Sequence, residues 1–195
     1  DLGVSTLREL MDLLRRYPGR YNYASVGAGT VSHLSMELIK ARSGTFIVHV
    51  PYNASPAAVM SVLQGDTHMT SLAPFAVMPQ VKAGKLRALA VTSSRRLTDT
   101  ITDVPTVAES GWPGTQGFEV VSWQALFAPA GTPKPIVDKL HAEILKIIQT
   151  TEMQERIKGL GMQPSALTPE QVLSFQKAEI EKWAQVIKAA NIKLE

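Results

Sequence analysis

The chain has 195 residues, 45% of them hydrophobic and 19% charged, with a formal net charge of +3. That is the composition of a globular protein able to bury its own core, as one large domain or two small ones. It contains no cysteine, which excludes thiolate catalysis, cysteine metal sites and disulfides, and it has no unbroken apolar run of membrane-spanning length.

The first element reads as a helix. Leu7, Leu10, Met11 and Leu14 form an apolar stripe, with Ser5 as the expected N-cap, Glu9 near the capping-box position and Pro18-Gly19 as the stop. From there strand and helix patterns alternate. "YNYAS" predicts a strand, residues 31–42 a helix with Leu34, Leu38 and Ile39 inward, and "FIVHV" a buried strand ended by Pro51. Ser55 and Pro56 predict the N-cap and first position of the next helix. "THMTSLA" reads as a strand, residues 74–83 as a short helix closed by Gly84, and "LRALAVTS" as a further strand. This alternation is the mark of βαβ units in a parallel sheet, so the fold class is α/β.

Residues 93–117, rich in Ser, Pro and Gly, read as a connection with one helical turn at 105–109. "FEVVSWQALFAPAG" is the longest strand-like run. Three helices are expected after it: one from "TPKP" with Ile136, Leu140, Ile144, Ile147 and Ile148 apolar, one at 151–159, and one at 169–190. In the last of these Val172, Phe175, Ile180, Trp183 and Ile187 are apolar.

The stretch "YASVGAGTVSHLSMELIK" joins a strand to a helix through two glycines. Two readings stand. In one, the amides of Gly27, Ala28, Gly29 and Thr30 face outward, with Ser25 and Thr30 hydroxyls beside them, as an anion-binding concavity at a helix N-terminus. In the other, the glycines only turn the chain and Thr30 only caps the helix. The third glycine and later acid of a dinucleotide site are missing, as is the lysine of a P-loop, so a small carboxylate fits better than a phosphate cofactor. No cofactor is expected.

His33 falls in the first turn of that helix, where the dipole disfavours a charged imidazole. It is either a neutral ring serving a ligand or a packing residue. His49, His68 and His141 carry less: His49 lies inside an apolar strand, and no histidine or carboxylate spacing suggests a metal. There is no G-x-S-x-G elbow, and the acids fall mainly on helix faces, so nothing asks for an enzyme. The basic residues are scattered pairs such as Arg15-Arg16 and Arg95-Arg96, not a stripe, and no nucleic-acid partner is expected.

Several strings taken together, "YNYASVGAGTVSHLSMELIK", "VHVPYNASPAAV", "KAGKLRALAVTS", "DVPTVAESGWPG" and "LFAPAGTPKPIVDKLHAEI", resemble the Bug, or tripartite tricarboxylate transporter, family of extracytoplasmic solute-binding receptors. The resemblance implies a periplasmic-binding-protein-like (type II), two-lobed α/β fold of the Venus-flytrap kind. Such a receptor closes on a small carboxylate (an amino acid, a di- or tricarboxylate, or an aromatic acid) and delivers it to membrane permease subunits. It implies a periplasmic location and no enzymatic activity. By position, it places Ser25, Val26, Gly27, Ala28, Gly29 and Thr30 in a carboxylate-clasping loop, with His33 beside it. Tyr52, Asn53 and Ala54, and Ser71, Leu72 and Ala73, fall in further cleft-facing loops, and Trp123 is read as core in preference to cleft wall. "PYNAS" departs from the family's more usual basic-then-glycine pair, so selectivity at Asn53 and Ala54 is expected to differ.

The resemblance also implies one complete lobe and one partial. Residues 1–19 would be the end of a first-lobe segment and a crossover helix, 20–117 the second lobe, and 118–195 a helix-rich return of the first. The chain starts at Asp1, not Met, which reads as the loss of an upstream piece, and self-association through the partial lobe is expected. The alternative reading is the effector-binding domain of a transcriptional regulator, which would need DNA-binding helices upstream.

Overall fold

A computed structural model describes residues 2–192. The chain divides into two compact units, one formed by Asp1–Ser122 with Trp183–Glu195 and the other by Trp123–Lys182.

In the first unit, helix α1 (Leu7–Arg16) buries Leu7, Leu10, Met11 and Leu14, the stripe its sequence spells out. Its cap lies one residue later than expected. Thr6 Oγ1 accepts the Glu9 N–H at 3.1 Å, while the Glu9 carboxylate accepts the Ser5 N–H at 2.6 Å, a capping box centred on Thr6. Strand β1 (Asn22–Ser25), helix α2 (Val31–Ser43), strand β2 (Val48–Pro51), helix α3 (Ser55–Gln64), strand β3 (Met69–Thr70) and helix α4 (Pro74–Lys82) follow. All three strands run parallel in the order β2-β1-β3. The chain therefore moves to one side of β1 and then crosses to the other. Such a reversal leaves a crevice beyond the carboxyl ends of the strands.

The core of this unit joins the α1 stripe to Tyr23, Met36, Ile39, Ile47, Val107, Trp112, Phe118 and Val120, with Trp183 packed against it. Fully burying side chains of this size stabilises the fold by roughly 2 kcal/mol each. Trp112 donates its indole N–H to Ser43 O at 3.2 Å. Two residues on, the chain passes so close to α2 that a Cβ on Gly114 would lie 2.1 Å from Arg42 O, and Gly114 has φ +89°. Only glycine fits there.

Several expectations are corrected. Helix α3 is capped at Ala54, not Ser55, without a side-chain bond. Strand β2 is not fully buried: Val48 is exposed, as is Phe46 before it, and only Ile47 is deep in the core. "LRALAVTS" forms no strand; Val91 makes a single bridge to Thr106 through Val91 N–H to Pro105 O and Val107 N–H to Val91 O. The helical turn nearby is a 3-10 turn, Ala108–Ser110. "FEVVSWQALFAPAG" forms no strand either. Val120 N–H reaches Thr92 O, after which the run has no ladder among the described residues and Leu126 and Phe127 are exposed. Strand propensity needs a neighbouring strand to act on.

The second unit carries helices α5 (Lys134–Gln149), α6 (Thr151–Gly159) and most of α7 (Pro169–Ala189). Thr168 caps α7 reciprocally with Gln171: Thr168 Oγ1 accepts Gln171 N–H at 3.3 Å and Gln171 Oε1 accepts Thr168 N–H at 2.8 Å. Trp123 is half-buried and meets Phe175 edge-on at 5.6 Å between ring centroids. No apolar side chain of residues 123–182 is buried. Ile136, Leu140, Ile147 and Ile180, apolar positions of the expected helices, are each at least half exposed.

Candidate functional site

Because the strands are parallel, the segments that leave β1, β2 and β3 emerge at one edge of the sheet. The register pairs Ser25 with Pro51 and Ala24 with Thr70. Residues 26–30, 52–54 and 71–73 are thus neighbours at the carboxyl end, with the α2 N-terminus above β1. Tyr52 N–H donates to Ser25 O at 2.9 Å, and Ser35 Oγ donates to Ser71 Oγ at 3.0 Å, tying these loops together.

The glycine turn is more self-contained than the sequence suggests. Val26 N–H donates to Ser32 Oγ (3.0 Å), Gly27 N–H to Ser25 Oγ (3.1 Å) and Gly29 N–H to His33 Nδ1 (3.0 Å). Thr30 N–H and Thr30 Oγ1 both donate to Gly27 O, at 3.4 and 2.7 Å. The expectation that the Gly27, Gly29 and Thr30 amides are open donors is therefore corrected: the protein uses them itself. Ser25 is fully buried, so its hydroxyl faces the protein interior. Thr30 occupies the N-cap position but makes no side-chain cap. Gly27 and Gly29, with φ of +123° and +74°, let the chain turn this tightly.

What stays open is the helix end itself. The first intrahelical bond is Leu34 N–H to Thr30 O, so the amides of Val31, Ser32 and His33 have no acceptor among the described residues, and neither has that of exposed Ala28. The Val31, Ser32 and His33 amides open the first turn of α2, at the positive end of its dipole.

Beneath the turn lies a polar cluster that the sequence did not reveal. His33 stacks on His49 with ring centroids 3.9 Å apart and planes 8° from parallel, and Tyr23 stacks on His49 at 5.0 Å. His49 Nε2 lies 2.6 Å from Ser25 Oγ. Glu37 Oε1 accepts from Tyr23 Oη and Lys40 Nζ, each at 2.7 Å, and lies 3.9 Å from His33 Nε2. Burial comes first among the causes that lower both histidines' pKa. His49 falls to about 4, with His33 and Lys40 lowering it further and Glu37 opposing. His33 is lowered by burial and Lys40, with Glu37 opposing. Burial and the bond to Glu37 hold the Tyr23 phenol protonated. His33 is accordingly a neutral ring, the state read from the helix dipole, but its Nδ1 is spent on Gly29. His49 was read as part of an apolar strand; only the register Tyr23 with His49 brings it under the turn.

Asn53 is exposed, Tyr52, Ser71, Leu72 and Ala73 are half-buried, and Ala54 and Ala73 sit at the N-caps of α3 and α4. Among the described residues no cluster of histidines and acids could hold a metal, and no helix is long and apolar enough to cross a membrane.

An open parallel sheet whose βα loops and a helix N-terminus meet at its carboxyl edge is an α/β arrangement in which ligands bind at that edge, and solved solute-binding proteins share this fold. Residues 1–192 match the tripartite tricarboxylate transporter family receptor, TctC, and the chain belongs to that family. It is 36% identical over 96% of its length to the "UPF0065 protein in tcbD-tcbE intergenic region" of Pseudomonas sp. strain P51, covering 55% of that protein. It is 34% identical over 99% of its length to BugT of Bordetella pertussis, covering 58% of it. The chain thus spans little more than half of these relatives. Among solved structures, an R. palustris protein with adipate aligns with TM-score 0.89 at 31% identity, over 98% of this chain and 63% of that one. MatC from Rhodopseudomonas palustris with bound malate aligns at TM-score 0.82 and 28% identity, over 96% and 63%. The periplasmic binding protein BugD aligns at 0.85 and 29%, over 100% and 64%.

Proposed function

We propose that the chain is the carboxylate-clasping part of an extracytoplasmic receptor that captures a small organic acid and hands it to the membrane subunits of a tripartite tricarboxylate transporter. The observation that carries this reading is the set of unpartnered amides of Ala28, Val31, Ser32 and His33 at the α2 N-terminus, beside the loops after β2 and β3. Charge-assisted bonds from such amides contribute roughly 1.5–3 kcal/mol each. Adipate and malate in two related structures support a dicarboxylate as the first ligand class to try. The expected site residues Ser25, Val26, Gly27, Ala28, Gly29, Thr30, His33, Tyr52, Asn53, Ser71 and Ala73, joined by the Val31 and Ser32 amides, take separate roles, with Tyr52, Asn53, Ser71 and Ala73 flanking the acid from the loops after β2 and β3. Ala28 and the helix end reach the acid, while Ser25, Val26, Gly27, Gly29 and Thr30 build the turn that positions them.

The reading includes a periplasmic location and no catalysis. The Ser25–His49 pair has hydrogen-bond geometry, but Ser25 is fully buried and its Oγ already accepts the Gly27 amide. It serves the turn rather than a substrate. Self-association belongs to the proposal as well, through the uncovered apolar side chains of α5 and α7 in residues 123–182. Size-exclusion chromatography is expected to give a species larger than one chain, and a clean monomer counts against that part.

Isothermal titration calorimetry with adipate, malate and a tricarboxylate tests the central reading. Saturable heat with at least one acid is expected. Flat titrations with all three, on protein shown folded by circular dichroism, overturn it.

A further inference from the structure

Of the turn's two glycine amides, that of Gly29 ends on a histidine acceptor, and that of Gly27 ends on a hydroxyl beside a second histidine. Gly29 N–H is held by a lone pair on His33 Nδ1, which exists only while that nitrogen is unprotonated. Gly27 N–H is held by Ser25 Oγ, itself 2.6 Å from His49 Nε2. The two rings stack face to face, so a proton on either disfavours one on the other. We propose that His33, with His49 stacked on it, is a positioning residue that latches the Gly27–Thr30 turn in its neutral state, and that protonating His33 releases the Gly29 amide, loosens the turn and weakens carboxylate binding. This rests on the receptor reading above.

The groups facing the pair are known from each side. Tyr23 comes from β1, Glu37 and Lys40 from α2, and Ser25 from the end of β1. Lys40 is paired with Glu37 at 2.7 Å, so the carboxylate nearest His33 is largely satisfied and its pull on a third proton is weak. Neutral His33, with its proton on Nε2, points that N–H toward Glu37 and leaves Nδ1 free to accept. A charged His33 presents an N–H to the Gly29 N–H, donor against donor. The same change puts a positive charge near the anion site, which taken alone would strengthen binding as pH falls. The latch and simple attraction therefore predict opposite signs.

The first arm of the test needs no ligand. In 15N–1H spectra of the full chain from pH 7.5 to 3.5, the Gly29 amide shift is expected to titrate together with the imidazole resonances of His33. His33→Asn, whose side-chain oxygen can replace Nδ1 as acceptor without titrating, is expected to keep the neutral-pH Gly29 shift and lose its pH dependence. Gly29 shifts that ignore imidazole titration in the parent protein overturn the latch, whether or not any variant folds. The second arm is adipate calorimetry at pH 7.5 and 5, where the ratio of parent to His33→Asn affinities cancels protonation of the acid. The parent is expected to lose about tenfold more affinity than the variant, the factor one net hydrogen bond carries. Equal losses, or tighter binding by the parent at pH 5, overturn the latch. Absence of heat with adipate, malate and a tricarboxylate alike, with the amide titration intact, sinks the receptor reading and leaves the His33–Gly29 latch standing.

Discussion

Helix α1 and helix α5 carry similar sequence signals, an apolar stripe at helical spacing with polar residues opposite, yet their fates differ. In α1, Met11 and Leu14 are completely buried and Leu7 and Leu10 nearly so, whereas in α5 Ile136, Leu140 and Ile147 are each 51% exposed. A stripe identifies the face that gains by being covered. Whether it is covered depends on what else packs there. For residues 2–122 the sheet, α2 and the Trp112–Val120 segment do so, and residues 123–182 have no comparable core.

That contrast can be broken by mutation. The largest effect is expected from Leu14→Ala, which should cost about 2–5 kcal/mol in chemical denaturation, while Leu140→Ala should cost less than about 1 kcal/mol. Equal losses would show that α5 is covered after all. Protonation comes next. An unfolded histidine has a pKa of about 6.5, but folded His49 is held at about 4 by burial, the stacked His33 and Lys40, against Glu37. Between those values the unfolded chain binds more protons, so the contribution is fully present above about pH 6.5 and is lost as pH falls toward 4. Stability of the first unit should decline by up to about 3 kcal/mol across that window. His49→Phe, followed by thermal melts, should flatten the decline.

Gly114→Ala sets a Cβ against Arg42 O and forces a positive φ, so it should destabilise by more than about 1 kcal/mol. An unchanged melting temperature would mean that this close approach relaxes freely. The smallest effect is expected in the second unit. Thr168→Ala removes a capping box and should cost about 1 kcal/mol locally, seen as faster amide exchange in the first turn of α7 with little change in α1.

The sequence made local structure legible where the signal was local. The α1 stripe and the βα alternation around β1 both depend on residues close in the chain. The extended runs at 86–93 and 118–131 misled because a strand is a relation between two segments, and only Val91 and Val120 find part of one. The site was legible as a place, a glycine turn opening α2, but not as a donor inventory. Which amides remain open is decided by Ser32, His33 and Ser25 folding back on the turn. His49 enters only through the parallel register of β2 on β1, which no spacing along the chain encodes.

The central claim is that the open amides at the start of α2 hold an organic acid. Adipate titrated into 15N-labelled protein at pH 7.5 tests it most directly. The amide signals of Ala28, Val31, Ser32 and His33 should move saturably and further than those of the internally bonded Val26 and Gly27. Saturable shifts confined to other segments, or none at these four amides, would contradict it.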